Sequence, residues 1–207
     1  NYPDGKFYSG YGFNFSNEKY CGINIIRIPI IPRGKNYLTL ALNYISFALI
    51  GSFFLLMKNK KYDKIFAVNY SPITAIIPAI VFKIKYKIKL FIWVQDLWPE
   101  SVKATTNFNF FGFYYIIEKI VKTIYYYSDK IFISNHSFTE SIVKKGVSKD
   151  KIEFMPNWAE DIFEQTEQID YDRYKNLIPS GFTVMFAGNM GEAQDLENVL
   201  NAIECTG

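Results

Sequence analysis

The chain has 207 residues, of which 49% are hydrophobic and 21% are charged, which is ordinary for a globular α/β protein with a sizeable core. Its net charge of +3 is only mildly basic and does not indicate a nucleic-acid partner. Cys21 and Cys205 lie far apart in the sequence, and His136 is the single histidine. This residue usage excludes a framework of disulfides, argues against a protein zinc site and fits a reducing cytosol.

The first quarter of the chain contains a loop, a short strand and a long apolar segment. Residues 1–22 show no sustained period and predict a loop, and Ile23–Ile28 predicts a strand that ends at Pro29. Asn36–Met57 contains no charged residue and is long enough to span a membrane. Polar or small residues nevertheless recur along it at three- to five-residue steps: Asn36, Thr39, Asn43, Ser46 and Gly51. We therefore expect a helix packed on a sheet or lying in a membrane interface, rather than a span.

Strands and helices then alternate, and this order predicts a doubly wound parallel sheet. The predicted strands are Tyr62–Asn69, Leu90–Val94, Lys130–Ser134 and Ile152–Met155. The predicted helices are Pro72–Phe82, Phe110–Tyr127 and a segment that ends at Gly146. We expect the strand near Ile23 to join the same sheet.

The composition changes after residue 157, where the chain becomes acidic and polar. Residues 158–181 therefore predict a linker. Beyond it, Phe182–Ala187 predicts a strand and Asp195–Glu204 a helix, so residues 182–207 form the beginning of a second domain. Residues 1–157 form the first domain, in which we expect a first strand to be missing.

A dense group of polar residues follows the most apolar strand. Leu90–Val94 is a continuous run of strand-forming residues, and ligands bind at the carboxyl ends of strands in open parallel sheets. The polar or hydrogen-bonding residues of the loop that follows are Gln95, Asp96, Trp98, Glu100 and Ser101. Position alone is equally consistent with purely structural roles, in which Asp96 caps a turn and Trp98 is a core residue.

A second candidate site is the glycine-containing turn between Phe186 and Leu200. Gly188 and Gly191 allow a tight turn, and the helix beyond presents free N–H groups to an anion such as a diphosphate. An ordinary turn between a strand and a helix explains the same residues. A dinucleotide-binding Rossmann enzyme is another alternative, although the turn lacks the G-x-G-x-x-G pattern.

Four strings along the chain resemble one family of enzymes. They are NYPDGK at residues 1–6, QDLWPES at 95–101, PNW at 156–158 and FAGNMGEAQDLENVL at 186–200. Together they are similar to a bacterial subgroup of family-4 glycosyltransferases, which add N-acetylated deoxyhexoses such as fucosamine during the assembly of surface polysaccharides on a lipid carrier. The resemblance spans nearly the whole chain, and the second and fourth strings are specific in combination.

The resemblance implies a GT-B fold, with two Rossmann-like domains and a retaining transfer between them without a metal. It implies a role in turnover for Asp96 and an acceptor cleft formed by Gln95, Trp98, Glu100 and Ser101. It also implies that the donor diphosphate, UDP-linked, binds at Gly188, Asn189, Gly191 and Gln194. Many family members have Arg and Lys where Asn189 and Gln194 stand, but the subgroup resembles this chain at both positions.

The same resemblance sets expectations for partners and location. The donor is a nucleotide sugar, the acceptor is a lipid-linked saccharide, and no further cofactor is expected. We expect the donor-binding glutamates beyond Gly207, so residues 1–207 alone should be inactive. A lipid-linked acceptor places the enzyme on the cytoplasmic face of the plasma membrane, bound peripherally through Asn36–Met57 and lysines such as Lys58 and Lys85. A membrane-associated, non-catalytic sugar-binding protein remains the third alternative.

Overall fold

The computed structural model describes residues 5–34, 36–59, 62–105, 111–161, 177–188, 190 and 194–205. The chain divides into two compact units. The larger contains residues 1–102 and 108–156, and the smaller contains residues 103–107 and 157–207. The predicted domain limits at residues 157 and 181 stay predictions.

The larger unit begins with a β-hairpin. β1 (Ser16–Tyr20) pairs antiparallel with β2 (Ile23–Arg27), and the two-residue turn has φ of +47° at Cys21 and +81° at Gly22. Positive φ at both central residues suits a tight hairpin turn, whereas a parallel pair would need a crossover of a dozen or more residues. The predicted loop was therefore wrong at Ser16–Tyr20, and the placement of Ile23–Ile28 in the parallel sheet was also wrong.

A four-stranded parallel sheet forms the centre of the larger unit and confirms the predicted α/β class. Its strands, in spatial order, are β3 (Lys64–Asn69), β4 (Lys89–Val94), β5 (Lys130–Ile133) and β6 (Ile152–Phe154). Side chains alternate between the two faces of a strand, so Ile92 of β4 and Ile131 of β5, which are paired in the register, share one face. Both are fully buried in the hydrophobic core.

Helices cover that face of the sheet. After a 3₁₀ turn (Ile73–Ile76) come α2 (Ile77–Tyr86), α3 (Glu100–Thr105), α4 (Phe111–Tyr127) and α5 (Phe138–Lys144). A second 3₁₀ turn (Lys149–Lys151) leads into β6. The core contains side chains of α2, α4 and α5 together with those of the strands, so one apolar layer joins sheet and helices.

The long apolar segment forms α1 (Tyr37–Met57), which begins where the Asn36 Oδ1 accepts a hydrogen bond of 2.8 Å from the Thr39 N–H. Its small and polar residues face the protein: Ser46 and Gly51 are buried, and the ring of Pro78 in α2 packs against Gly51. A stripe of large apolar residues faces outward, since Leu38, Leu42, Ile45, Leu49, Phe53 and Leu56 are all exposed, whereas others such as Phe47 and Leu55 are partly buried. Steps of three and four residues place these six on one stripe.

The smaller unit contains α6 (Leu196–Glu204), which matches the predicted helix Asp195–Glu204. The strand predicted at Phe182–Ala187 was wrong, because these residues form no strand and Phe182 is 97% exposed. An apolar run becomes a strand only where a neighbour supplies ladder hydrogen bonds, and no paired strand lies beside it within the described residues.

Candidate functional site

The carboxyl edge of the parallel sheet brings the predicted polar loop next to the ends of its neighbouring strands. The Gln95 N–H donates to the Asn69 carbonyl at 2.9 Å, which joins the end of β4 to the end of β3. On the other side, the Ser134 N–H and hydroxyl both approach the Val94 carbonyl at 3.3 Å. The loop after β4 is therefore held between the two adjacent strand ends, where parallel sheets bind ligands.

Asp96 is the carboxylate of this edge, and its side chain is partly buried. Desolvation by that burial raises the pKa of the carboxyl group above its ordinary value. A carboxylate whose charge is poorly solvated forms strong hydrogen bonds with hydroxyl donors and is a better proton acceptor than a free one. Asp96 thus has the chemistry required to bind a substrate hydroxyl.

Two neighbours of Asp96 have buried donors without partners. The Gln95 Nε2 and the Trp98 Nε1 make no hydrogen bond to any described residue, although both atoms are removed from solvent. Most buried polar atoms in proteins are hydrogen-bonded, and exceptions occur where a ligand or water completes the bond. These two residues therefore fit the predicted ligand cleft, and Trp98 also belongs to the hydrophobic core.

Asn69 is a residue that sequence reasoning missed. It ends β3 beside Gln95, is 0% exposed, and both its Oδ1 and its Nδ2 lack partners among the described residues. The signal in the sequence was a carboxamide at the end of an otherwise apolar strand, IFAVN, at the same edge as Asp96. The edge thus contains three neutral hydrogen-bonding groups and one carboxylate, a combination suited to an uncharged ligand with several hydroxyls.

Glu100 and Ser101 anchor the loop to its surroundings. The Glu100 Oε1 accepts hydrogen bonds from the Ser141 hydroxyl at 2.7 Å and from the Lys145 ammonium, both contributed by the α5 region. Burial by itself would raise the pKa of Glu100, but these hydrogen bonds and the Lys145 charge outweigh it and lower the pKa. The Ser101 hydroxyl donates to the Leu97 carbonyl at 2.7 Å. Both predicted cleft residues therefore have contacts that position the loop.

The second predicted site, in the smaller unit, is only partly described. Asn189 and Gly191 lie outside the described residues. Gly188 is exposed, and the Phe186 ring is the described group close to it; Gln194 lies one residue before the N-cap of α6. The predicted diphosphate contacts therefore stay predictions.

In the part of the chain that the structure describes, no group of side chains forms a metal site. No three His, Cys, Asp or Glu side chains are grouped there so that they could hold a metal ion. His136 instead stacks on Phe154, with ring centroids 3.8 Å apart.

Comparison with known proteins gives one informative similarity. Over 80 residues the chain is 31% identical to a colanic acid biosynthesis glycosyl transferase, WcaI, of Escherichia coli (strain K12). The aligned part is 37% of this chain and spans only 20% of the relative's length. No family model matches the chain. The similarity supports a glycosyltransferase relationship and does not distinguish a subgroup.

Proposed function

We propose that this chain is the acceptor-side part of a retaining glycosyltransferase, which moves a sugar from a UDP-linked donor to a lipid-linked saccharide in bacterial surface polysaccharide biosynthesis. The observation that carries the proposal is the carboxyl edge of the sheet, where the loop of Asp96 also contains or adjoins buried polar atoms of Asn69, Gln95 and Trp98 that lack partners among the described residues. The partial similarity to a glycosyl transfer enzyme favours a saccharide as the polyhydroxylated ligand.

In this proposal Asp96 accepts a hydrogen bond from the reacting acceptor hydroxyl. Transfer of a sugar to that oxygen increases the acidity of its proton, so the bond to a partly desolvated carboxylate strengthens in the transition state. Gln95 and Trp98 orient the acceptor through neutral donors. Glu100 and Ser101 keep the loop in place through α5 and the Leu97 carbonyl.

On the donor side, we propose that the turn containing Gly188, Asn189, Gly191 and Gln194 receives the diphosphate. Amide side chains and backbone N–H groups can hydrogen-bond phosphate oxygens without adding a positive charge. Further residues of the intact enzyme complete this site.

Replacement of Asp96 by Asn in the intact enzyme tests the catalytic part of the proposal. Asn preserves the shape but removes the proton acceptor, and acid–base groups contribute about 10²–10⁴ in rate. We expect a loss of that order in kcat with a small change in KM for the nucleotide sugar, and an unchanged rate for the matched control Asp63→Asn, which alters an exposed carboxylate ahead of β3.

Titration of the intact enzyme with UDP and with NAD distinguishes a glycosyltransferase from a dinucleotide-binding enzyme. Saturable binding of NAD with no binding of UDP would overturn the glycosyltransferase proposal. Full activity of Asp96→Asn would remove Asp96 from the mechanism while leaving the nucleotide-sugar chemistry in place.

We further propose that the enzyme contacts the cytoplasmic face of the membrane through α1. Within the described residues α1 is the one helix long and apolar enough to cross a bilayer, judged by length and composition. Its inward face is engaged by the protein, while its outward stripe from Leu38 to Leu56 is apolar. Lys58 and Lys85 lie at the end of this stripe, where they can attract anionic headgroups.

Vesicle co-sedimentation tests this contact. We expect Leu49→Ser with Phe53→Ser to abolish binding to anionic vesicles, and Leu200→Ser, on the exposed surface of α6, to leave it unchanged. Lys58→Gln should weaken binding at low salt and have little effect at high salt, because salt screens the attraction. If the α1 variant bound vesicles as well as the wild type, the proposal that α1 contacts the membrane would be refuted.

A further inference from the structure

The loop that joins β5 to α5 lies at the same edge of the sheet as Asp96. It is polar throughout and consists of Ser134, Asn135, His136 and Ser137. The Ser134 N–H donates to the Val94 carbonyl at 3.3 Å, so the loop begins against the end of β4. Neighbouring strands are about 4.8 Å apart, and a ligand held by the loop of Asp96 therefore lies within reach of the loop after β5.

Hydrogen bonds fix the backbone on both sides of His136. The Ser137 N–H donates to the Asn135 Oδ1 at 2.9 Å, which forms an Asx turn. The Phe138 N–H donates to the Asn135 carbonyl at 3.1 Å. The Thr139 N–H donates to the His136 carbonyl, also at 3.1 Å. These bonds hold a tight turn that fixes where the His136 side chain leaves the backbone.

The imidazole of His136 is held by one face, while its nitrogens remain available. That face stacks on the Phe154 ring, with centroids 3.8 Å apart and planes 20° from parallel. His136 is exposed, and within the described residues neither ring nitrogen has a hydrogen-bond partner. A ring already held in place loses little freedom when one of its nitrogens binds a ligand, so His136 is preorganised for such a contact.

The neighbouring carboxylates are engaged by lysines and not by the imidazole. Glu140, one helical turn beyond His136, pairs with Lys144 at 2.7 Å. Glu153, beside Phe154 in β6, pairs with Lys130 at 2.9 Å. An ion pair with either carboxylate therefore does not account for the placement of His136.

The distance between the two loops indicates which part of a ligand His136 contacts. Asp96 follows β4, whereas the His136 ring lies on Phe154, the last residue of β6, and β5 lies between these strands. Two strand spacings amount to about 10 Å, which is farther than one sugar ring extends. A ligand that contacts both residues is therefore longer than a single sugar.

We propose that His136 hydrogen-bonds an oxygen of the acceptor beyond its reacting sugar, in a second sugar ring or in the phosphate of the lipid carrier. The inference rests on the proposed function, in which Asp96 receives the reacting hydroxyl. An imidazole N–H donates to hydroxyl, ring and phosphate oxygens alike, so both sources share this chemistry.

Transfer by the intact enzyme to simple acceptors, with UDP-linked donors, tests the proposal. The acceptor sugars are glucose, galactose and their 2-acetamido derivatives. Each is supplied as a decyl glycoside, as the terminal unit of a decyl disaccharide and as a decyl diphosphate ester. No transfer to any of these compounds would overturn the proposed function and this inference with it, whereas transfer by the wild type allows His136 to be tested separately.

His136→Phe keeps a ring on Phe154 and removes both nitrogens, so we expect an unchanged Tm. The KM for the decyl glycoside should also be unchanged. The KM for an extended acceptor should rise about three- to tenfold with kcat retained, because one hydrogen bond that contributes only to binding is lost. A rise confined to the diphosphate ester assigns the contact to phosphate, and a rise confined to the disaccharide assigns it to a second sugar.

Tyr126→Phe is the matched control, because it removes a polar group from an exposed ring of α4. It should leave the KM for all three acceptor forms unchanged. Wild-type KM values of His136→Phe for both extended forms would overturn the proposal. An equal rise for all three forms, or the same rise in Tyr126→Phe, would also overturn it.

Discussion

Replacement of Asn69 by Leu is expected to make the protein more stable and less active. The two side chains have the same branching, so the exchange leaves no cavity, but the methyl groups of leucine are bulkier than the carboxamide and their packing strain subtracts from the gain. Asn69 is 0% exposed, and both polar atoms of its carboxamide lack partners within the described residues. A buried, unsatisfied polar group costs about 1–3 kcal/mol, and this cost disappears in the leucine variant.

The expected gain is measurable by urea or thermal unfolding. For a protein of this size each kcal/mol shifts Tm by about 2–4 °C, so Asn69→Leu should raise Tm by up to about 12 °C, less what the larger side chain costs in packing. If the carboxamide binds the acceptor, the same variant should raise the acceptor KM about tenfold or more, since each lost hydrogen bond leaves a ligand hydroxyl unpaired. Ala67→Val, on the same face of β3, is the control for altered packing and should not change the acceptor KM.

The opposite stability result would refute the reasoning. If Asn69→Leu and the smaller Asn69→Val both lowered the free energy of unfolding by about 1 kcal/mol or more, overpacking would not explain the loss, and the carboxamide would have protein partners and a structural role. A stabilised variant with unchanged acceptor kinetics would keep the energetic argument but remove Asn69 from the substrate site.

Two further predictions concern charged groups of the larger unit. Lys145→Met should lower the free energy of unfolding, measured with urea, by about 1–2 kcal/mol, because a partly buried charged hydrogen bond to Glu100 is lost. The control Lys144→Met, which removes a fully exposed ion pair with Glu140, should leave it nearly unchanged. Burial would raise the pKa of Asp129, but hydrogen bonds from Lys83 and the backbone lower it below 3.8. Its stabilisation is therefore complete above about pH 4 and is lost as the pH falls. Asp129→Asn should therefore reduce the loss of unfolding free energy at acid pH. If the variant lost as much stability in acid as the wild type, Asp129 would not be the cause.

The sequence by itself determined the parallel sheet and the location of the candidate site. Continuous apolar runs such as Leu90–Val94 predict strands buried on both faces, and the abrupt change to Gln95 and Asp96 marks a carboxyl edge. These signals are local, because each depends on residues adjacent along the chain. The same locality explains why α1, α4 and α6 were predicted within a residue or two of their observed limits.

The predictions failed where the formation of a strand depended on whether a partner strand was present. Residues 16–20 become β1 only because the turn at Cys21 and Gly22 returns the chain beside them. Phe182–Ala187 is apolar enough for a strand but has no ladder partner among the described residues. Propensity measures the readiness to form a strand, whereas pairing decides whether the strand exists.

The tertiary structure alone decided which residues from other elements lie beside the candidate loop and which face of α1 is exposed. Asn69 meets Gln95 because β3 and β4 are neighbours, and Glu100 meets Lys145 across 45 residues. In α1 the recurring small and polar residues predicted a distinct face, and the structure shows that Ser46 and Gly51 of this face are buried against the protein. A helix period can separate two faces, but which of them is buried depends on the surface against which the helix packs, and that surface comes from other parts of the chain.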